Sequence, residues 1–235
     1  MLSHLLLILM INEADINALW LTIKLASITT LMLMFLCLPL AWWLARSQWR
    51  YKIIIQALCA MPLILPPTVL GFYLLLMLGS NGPLSGLFQS LGLESLAFTF
   101  SGLVIGSMIY SLPFVVQPLT NTFAGINHQQ LEVALTLGVS PINRFFTLVL
   151  PQAKTGLITA SVLGFAHTIG EFGVVLMIGG NIPNETQVVS IAIYEHVESL
   201  NYAQAHWLSA AMLLLSFVLL VTVYAINRRS GFVSA

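Results

Sequence analysis

Charge is the scarcest property of this sequence. Only 7% of its 235 residues are Asp, Glu, Lys or Arg, against roughly 25% in a soluble domain. So few charges cannot cover a water-facing surface, which excludes an ordinary soluble domain and makes lipid the solvent over most of the area. The formal net charge is +0, so no overall field steers an anion or a nucleic acid toward the chain. Cysteine is nearly absent: Cys37 and Cys59, both in apolar runs, make no disulfide framework and read as small buried hydrophobes. The histidines His4, His128, His167, His196 and His206 have no metal-ligand spacing. Lys154-Thr155 echoes the end of a phosphate loop, but Ala153 stands where glycine is needed. No metal, cofactor or nucleotide site is expected.

What the sequence does have is apolar length: 58% of it is hydrophobic and the mean hydropathy is +0.95. Five stretches reach the roughly 20 residues that cross a bilayer as a helix: Ala18 to Ala45, Ile53 to Leu78, Ala97 to Thr120, Thr155 to Ile178, and Ala205 to Ile226. None shows the two-residue alternation of a barrel strand, so the expected fold is all-α, a polytopic helical bundle forming a single domain over residues 1–235. Arg46, Arg50 and Lys52 follow the first stretch, Arg144 and Lys154 precede the fourth, and Arg228 and Arg229 follow the fifth. The loops after the second and fourth have neither Lys nor Arg, which predicts an amino terminus outside and a carboxyl terminus in the cytoplasm. Lys24 is the exception, near an outer end where it can snorkel. The opening Met1–Ile11 run is too short to cross and lacks a basic start or a convincing cleavage site, so it reads as an interfacial or packing segment.

The cytoplasmic stretch 121–154 is short but patterned. Asn127 with Gln130 resembles a capping box, predicting a helix to about Leu137; Gly138 is placed for a left-handed turn; Ser140-Pro141 then caps and starts a second helix. Leu131, Ala134 and Leu135 fall on one face, giving an apolar surface beside the membrane. Elsewhere, Gly102-x-x-x-Gly106 permits close helix packing, expected within the chain rather than between copies. Pro62, Pro66 and Pro67 crowd the second stretch; each removes a backbone donor and favours a kink, and the carbonyls so freed need protein or a cavity beside them.

Glu132-x-Ala134-x-x-x-Gly138, with Phe145 and Leu150-Pro151 following, resembles the EAA loop of bacterial ABC importer permeases, Val133 standing where that family often has a second Ala. Met61-Pro62 to Gly71, Gly170-Glu171-Phe172-Gly173 and Asn181-Ile182-Pro183-Asn184-Glu185-Thr186 extend the resemblance to molybdate importer permeases, over about Trp20 to Tyr194; sulfate and tungstate permeases share parts of the pattern. The resemblance implies a type I importer fold, a homodimer in the bacterial inner membrane, two copies of a cytoplasmic ABC ATPase and a periplasmic oxyanion-binding protein. It implies that Glu132, Ala134, Leu135, Gly138, Val139, Pro141, Arg144 and Phe145 belong to a coupling helix seated on the ATPase. The chain itself is then a transport subunit and not an enzyme, with no nucleic acid among its partners.

The expected pathway and gate residues are Pro66, Pro67, Thr68, His167, Gly170, Glu171, Phe172 and Gly173. Glu171 lies well inside a span, where an ionisable group is costly and therefore a functional candidate. An ionised carboxylate would repel a divalent oxyanion, so the pathway is expected to consist of hydroxyls, amides and backbone groups. Glu171 is expected to be satisfied by the protein, with His167 within reach four residues earlier, and to hold a bend at the gate beside Phe172. Two other classes stay open. An ion-coupled carrier needs embedded titratable groups, of which only His167 and Glu171 qualify, and usually an internal repeat, which is missing. An intramembrane enzyme needs a nucleophile or metal set facing a cavity, and none is found.

Overall fold

The computed structural model describes residues 12–90, 92 and 95–231. The expectation for Met1–Ile11 lies outside the described residues. Every regular element described is helical. Helix α1 (Glu13–Arg46) is the longest, with 34 residues. Leu21, Leu25, Leu33, Cys37, Ala41 and Leu44 are buried along it, while Trp20, Leu31 and Phe35 stay exposed on its outer side, as a lipid-facing stripe requires. α1 lies against α5 (Phe100–Ala124), its main partner, and α9 (Lys154–Ile169) packs on both. The α5–α9 seam is made close by small residues. A side chain at Gly156 would run into Thr122, one at Gly164 would come within 2.6 Å of Val115, and Ala160 between them is fully buried. This small-residue spacing is what lets helices approach in lipid without a hydrophobic driving force. Gly106 on α5 packs against Ile178 of the same chain, as expected for the Gly102–Gly106 pair.

Two of the five predicted spans, those expected to kink at the prolines and to bend at Glu171, are broken outright. The stretch 53–78 divides into α2 (Lys52–Ala60), a tighter turn at Met61–Leu63, and α3 (Pro67–Leu78), with 109° between the two arms. The prolines are the cause. A residue preceding proline is pushed out of the helical region, and Pro66 is extended at φ −55°, ψ 135° because Pro67 follows it. The stretch 155–178 also fails to run through. α9 stops at Ile169, and the chain restarts as α10 (Gly173–Gly179) after Phe172 takes φ −130°, ψ −61°. The helical ladder loosens there: the Gly170 N–H is shared between the Ala166 and His167 carbonyls, and the Glu171 N–H reaches only Thr168 at 3.3 Å. Hydropathy averaged over a window of roughly 20 residues passes over this break, because Gly170-Glu171-Phe172-Gly173 is a short interruption and apolar residues flank it on both sides.

Among the described residues, three helices, α1, α5 and α12 (Tyr202–Gly231), are long and apolar enough to cross a membrane on their own. The number reaches five if α2–α3 is one bent crossing and α9 is joined to the preceding segment, from which it turns by 73°. The expected five is thus the upper number that length and composition allow among the described residues, and it is reached by pairing α9 with the segment before it rather than with α10. On one side, residues 95–98 clip the broken ends together: the Leu96 and Ala97 N–H groups bond to the Leu78 carbonyl at the end of α3, and the Phe98 N–H to the Ile178 carbonyl in α10. α4 (Ser85–Ser90) lies in the connection just before this clip.

Candidate functional site

The hairpin that follows α5 forms much as its residues predict. Asn127 Oδ1 accepts from the Gln129 N–H and starts α6 (His128–Thr136), in place of the expected exchange with Gln130. Gly138 has φ +74°, and the Val139→Ala134 and Gly138→Leu135 N–H to C=O bonds close the end of the helix in the paired pattern that a left-handed glycine permits. Ser140 Oγ caps α7 (Pro141–Arg144) by accepting from the Asn143 N–H. The turn at Phe145–Val149 is then widened, with the Leu150 N–H reaching back to Phe145, before α8 (Leu150–Gln152). Pro151 cannot donate to the Thr147 carbonyl, and a widened turn accommodates that loss.

The hairpin has two faces. Leu131 is buried in the bundle, the Arg144 guanidinium bonds to the Leu131 carbonyl at 3.4 Å, and Phe145 packs edge-on against Trp42 of α1, ring centres 5.7 Å apart. Arg144 and Phe145 therefore brace the hairpin on the bundle instead of facing outward with the other expected contact residues. Outward lie Val133, Leu135, Leu137, Ile142 and Phe146, all exposed, together with Pro141 and Gly138. The single apolar face expected of Leu131, Ala134 and Leu135 is thus divided between bundle and solvent. Glu132 is exposed, its carboxylate 3.1 Å from His128 Nδ1. Ala134, Val139, Val133 and Leu137 line an open groove of about 600 Å³. Arg46 fixes the ground beneath the hairpin: its guanidinium bonds to the Phe123 and Ile126 carbonyls at 3.1 and 2.8 Å, capping the end of α5.

The second site is a cavity of about 650 Å³ where the two breaks face each other. Pro67, Thr68, His167, Gly170, Glu171, Phe172 and Gly173 all line it, joined by Tyr110, Ala166, Leu176 and Met177. Pro66 does not; it stays exposed at the bend. The approach of the broken spans is set by glycine. A Cβ on Gly173 would stand 2.8 Å from Pro67 Cβ, and one on Gly71 would stand 2.8 Å from Met177 Cβ. Glu171 is 3% exposed, and neither of its carboxylate oxygens has a hydrogen-bond partner among the described residues. The expected His167 partnership does not form. His167 Nδ1 is 2.9 Å from Ser111 Oγ, and its ring stacks on Phe114 at 3.8 Å. The reason is the break itself: α9 ends before Glu171, so the two residues no longer share a helical face. Phe172 packs on Tyr194 of α11 (Val189–Glu198), 5.2 Å between ring centres, and the Ser190 hydroxyl donates to the Glu171 carbonyl at 2.6 Å.

Sequence reasoning missed the tether outside this cavity. Asp15 is buried, its Oδ1 2.9 Å from His196 Nε2. The Val189 N–H bonds to Thr22 Oγ1 at 2.8 Å, so α11 is held to the start of α1 at two levels. The Asn181–Thr186 segment is a self-bonded turn: Thr186 is fully buried and donates to the Gly179 carbonyl at 2.7 Å.

Residues 37–231 match the family described as binding-protein-dependent transport system inner membrane component. The chain belongs to that family. It is 56% identical over 218 residues, 93% of this chain and 96% of the relative, to the molybdenum transport system permease protein ModB of Azotobacter vinelandii. It is 35% identical to the ModB of Haemophilus influenzae, covering 79% of this chain and 81% of that one. The sulfate transport system permease protein CysT of a Synechocystis strain is 29% identical over 78% of this chain and 64% of its own length. A bacterial ABC transporter involved in the import of the acidic polysaccharide alginate superposes with a TM-score of 0.75 at 19% identity, over 98% of this chain and 83% of that one, which establishes the importer permease fold. This inner membrane component is a multi-pass membrane protein. In it, the hairpin joins the end of α5 to the start of α9, and the cavity lies against Tyr110 of α5 and the last residues of α9.

Proposed function

We propose that this inner membrane component is the permease subunit of an ABC importer for molybdate or a similar tetrahedral oxyanion. All 235 residues form one permease domain. Two copies pair in the membrane, a cytoplasmic ABC ATPase docks on each α6–α7 hairpin, and a periplasmic binding protein delivers the anion. The amino terminus faces outside and the carboxyl terminus the cytoplasm. Closure of the ATPases moves the hairpins, and the halves alternate between inward-open and outward-open states as rigid bodies. The observation that carries this reading is the joining, in one chain, of a cavity at two broken spans to an apolar hairpin braced on the same helices. The identity to ModB over nearly the whole chain favours molybdate over sulfate.

On the hairpin, Glu132, Ala134, Leu135, Gly138, Val139 and Pro141 present the docking contacts, and Arg144 and Phe145 hold them in place. The gate is the break at Gly170–Gly173 with Pro67 and Thr68 opposite, and Pro66 sets the bend behind it. Co-purification of the ATPase with this subunit, followed by ATP hydrolysis stimulated by the binding protein carrying molybdate, tests the assignment. Stimulation by sulfate but not molybdate would move the substrate to sulfate. Failure of the ATPase to co-purify would remove the importer.

A further inference from the structure

The cavity contains one polar group that the surrounding helices leave unused. Neither oxygen of the buried Glu171 carboxyl makes a well-formed hydrogen bond among the described residues, and the buried Ser107 hydroxyl on α5 is the one donor that stands beside it. Around the cavity, α3 presents Thr68, α5 presents Tyr110, α9 presents His167, and α11 presents Tyr194 through its contact with Phe172. Among the described residues, no Lys or Arg lines it. A carboxylate buried at membrane depth, with no cation beside it and only the Ser107 hydroxyl at hand, carries a desolvation cost that one neutral donor does not offset, and such groups neutralise instead. An uncharged carboxyl has an O–H to donate, which reverses the sign problem that a glutamate poses on an anion pathway.

We infer that Glu171 acts as an uncharged carboxylic acid that donates a hydrogen bond to the transported oxyanion, alongside the Thr68 and Tyr110 hydroxyls. The inference rests on the importer function proposed above and names the residue that handles the anion. Neutral donors hold a dianion weakly enough for it to leave again, which a pathway requires and a lysine in this dry site would oppose. Selection of the anion then falls on donor geometry rather than on charge.

The test uses the full assembly of permease, ATPase and binding protein in lipid vesicles, with molybdate as the probe. Glu171→Gln keeps a neutral donor and is expected to retain uptake, whereas Glu171→Leu is expected to lose about tenfold, the effect of one missing hydrogen bond to a charged group. Wild-type uptake is expected to fall as the medium is made alkaline and Glu171 loses its proton, and Glu171→Gln to show no such fall. The infrared carbonyl band of a protonated carboxylic acid should be present in the wild-type assembly and absent from Glu171→Gln, a readout that does not depend on transport. Glu171→Gln that assembles but loses uptake as Leu does, identical pH profiles for wild type and Gln, or a missing carbonyl band would each overturn the inference alone. A wild-type assembly that takes up no oxyanion would overturn the importer function, and the inference with it.

Discussion

At the scale of single residues, three positions separate what geometry demands from what it tolerates. Gly173 touches Pro67 so closely that any β-carbon must displace it, and overpacking of this kind costs typically 1–3 kcal/mol. At Gly170, three residues away, a β-carbon would meet nothing closer than the Ala166 and His167 carbonyl oxygens at 3.7 Å. Gly173→Val is therefore expected to lower the melting temperature of the detergent-solubilised protein and reduce uptake, and Gly170→Ala to leave both near wild type. Equal effects would show that the α3–α10 approach does not set the cavity. Gly138 is the third. A β-branched side chain at φ +74° is strained by roughly 1–3 kcal/mol, so Gly138→Val should weaken ATPase pull-down while the spans still insert. The Asp15–His196 pair is a separate case. Removing His196 leaves the buried Asp15 carboxyl alone, at about 1–3 kcal/mol, whereas removing Asp15 leaves a partly exposed imidazole that water can reach and should cost less; removing both should cost less than the sum, and a purely additive double mutant would deny the coupling.

At the scale of elements, the hairpin was readable from its residues, and the places where two spans bend were readable too, but not that the bends are complete breaks. Asn127, Gly138 and Ser140-Pro141 each impose a local backbone requirement, and local requirements survive whatever the rest of the chain does. The pathway residues were recognisable for a similar reason, since Pro66-Pro67 and Gly170–Gly173 interrupt a hydrophobic run. Their meeting around one cavity depends on tertiary packing, which hydropathy does not encode. The missed Gly156–Ala160–Gly164 stripe did have a signal, a small residue every fourth position, and it shows where α9 must seat. Gly164→Leu is expected to disrupt this seam and sharply reduce the folded fraction in membranes; normal accumulation with normal uptake would argue against it. The divided hairpin had no such signal. Which of Leu131 and Leu135 faces the bundle depends on where Trp42 and Phe123 stand together, and Trp42 comes from α1, far away in sequence.

At the scale of the whole molecule, the basic residues do two jobs. Arg46 and Lys52 bias orientation, and both also bond to carbonyls at helix ends, Arg46 to Phe123 and Ile126 and Lys52 to Ser47 at 2.8 Å. The orientation itself is checked with single cysteines at Ser85, Gln130 and Ser199 in a background lacking Cys37 and Cys59. An impermeant thiol reagent applied to intact cells should label the first and last only, and labelling at position 130 would reverse the topology. The central claim is that ATP bound by a partner, transmitted through the braced hairpin, moves an oxyanion through the cavity at the broken spans. Its most direct test is molybdate uptake by vesicles containing the reconstituted subunit, its ATPase and binding protein, with ion gradients collapsed. Uptake that needs ATP and is weakened by Gly138→Val is the predicted result; uptake that ignores ATP and follows an imposed ion gradient would contradict it and make this an ion-coupled carrier.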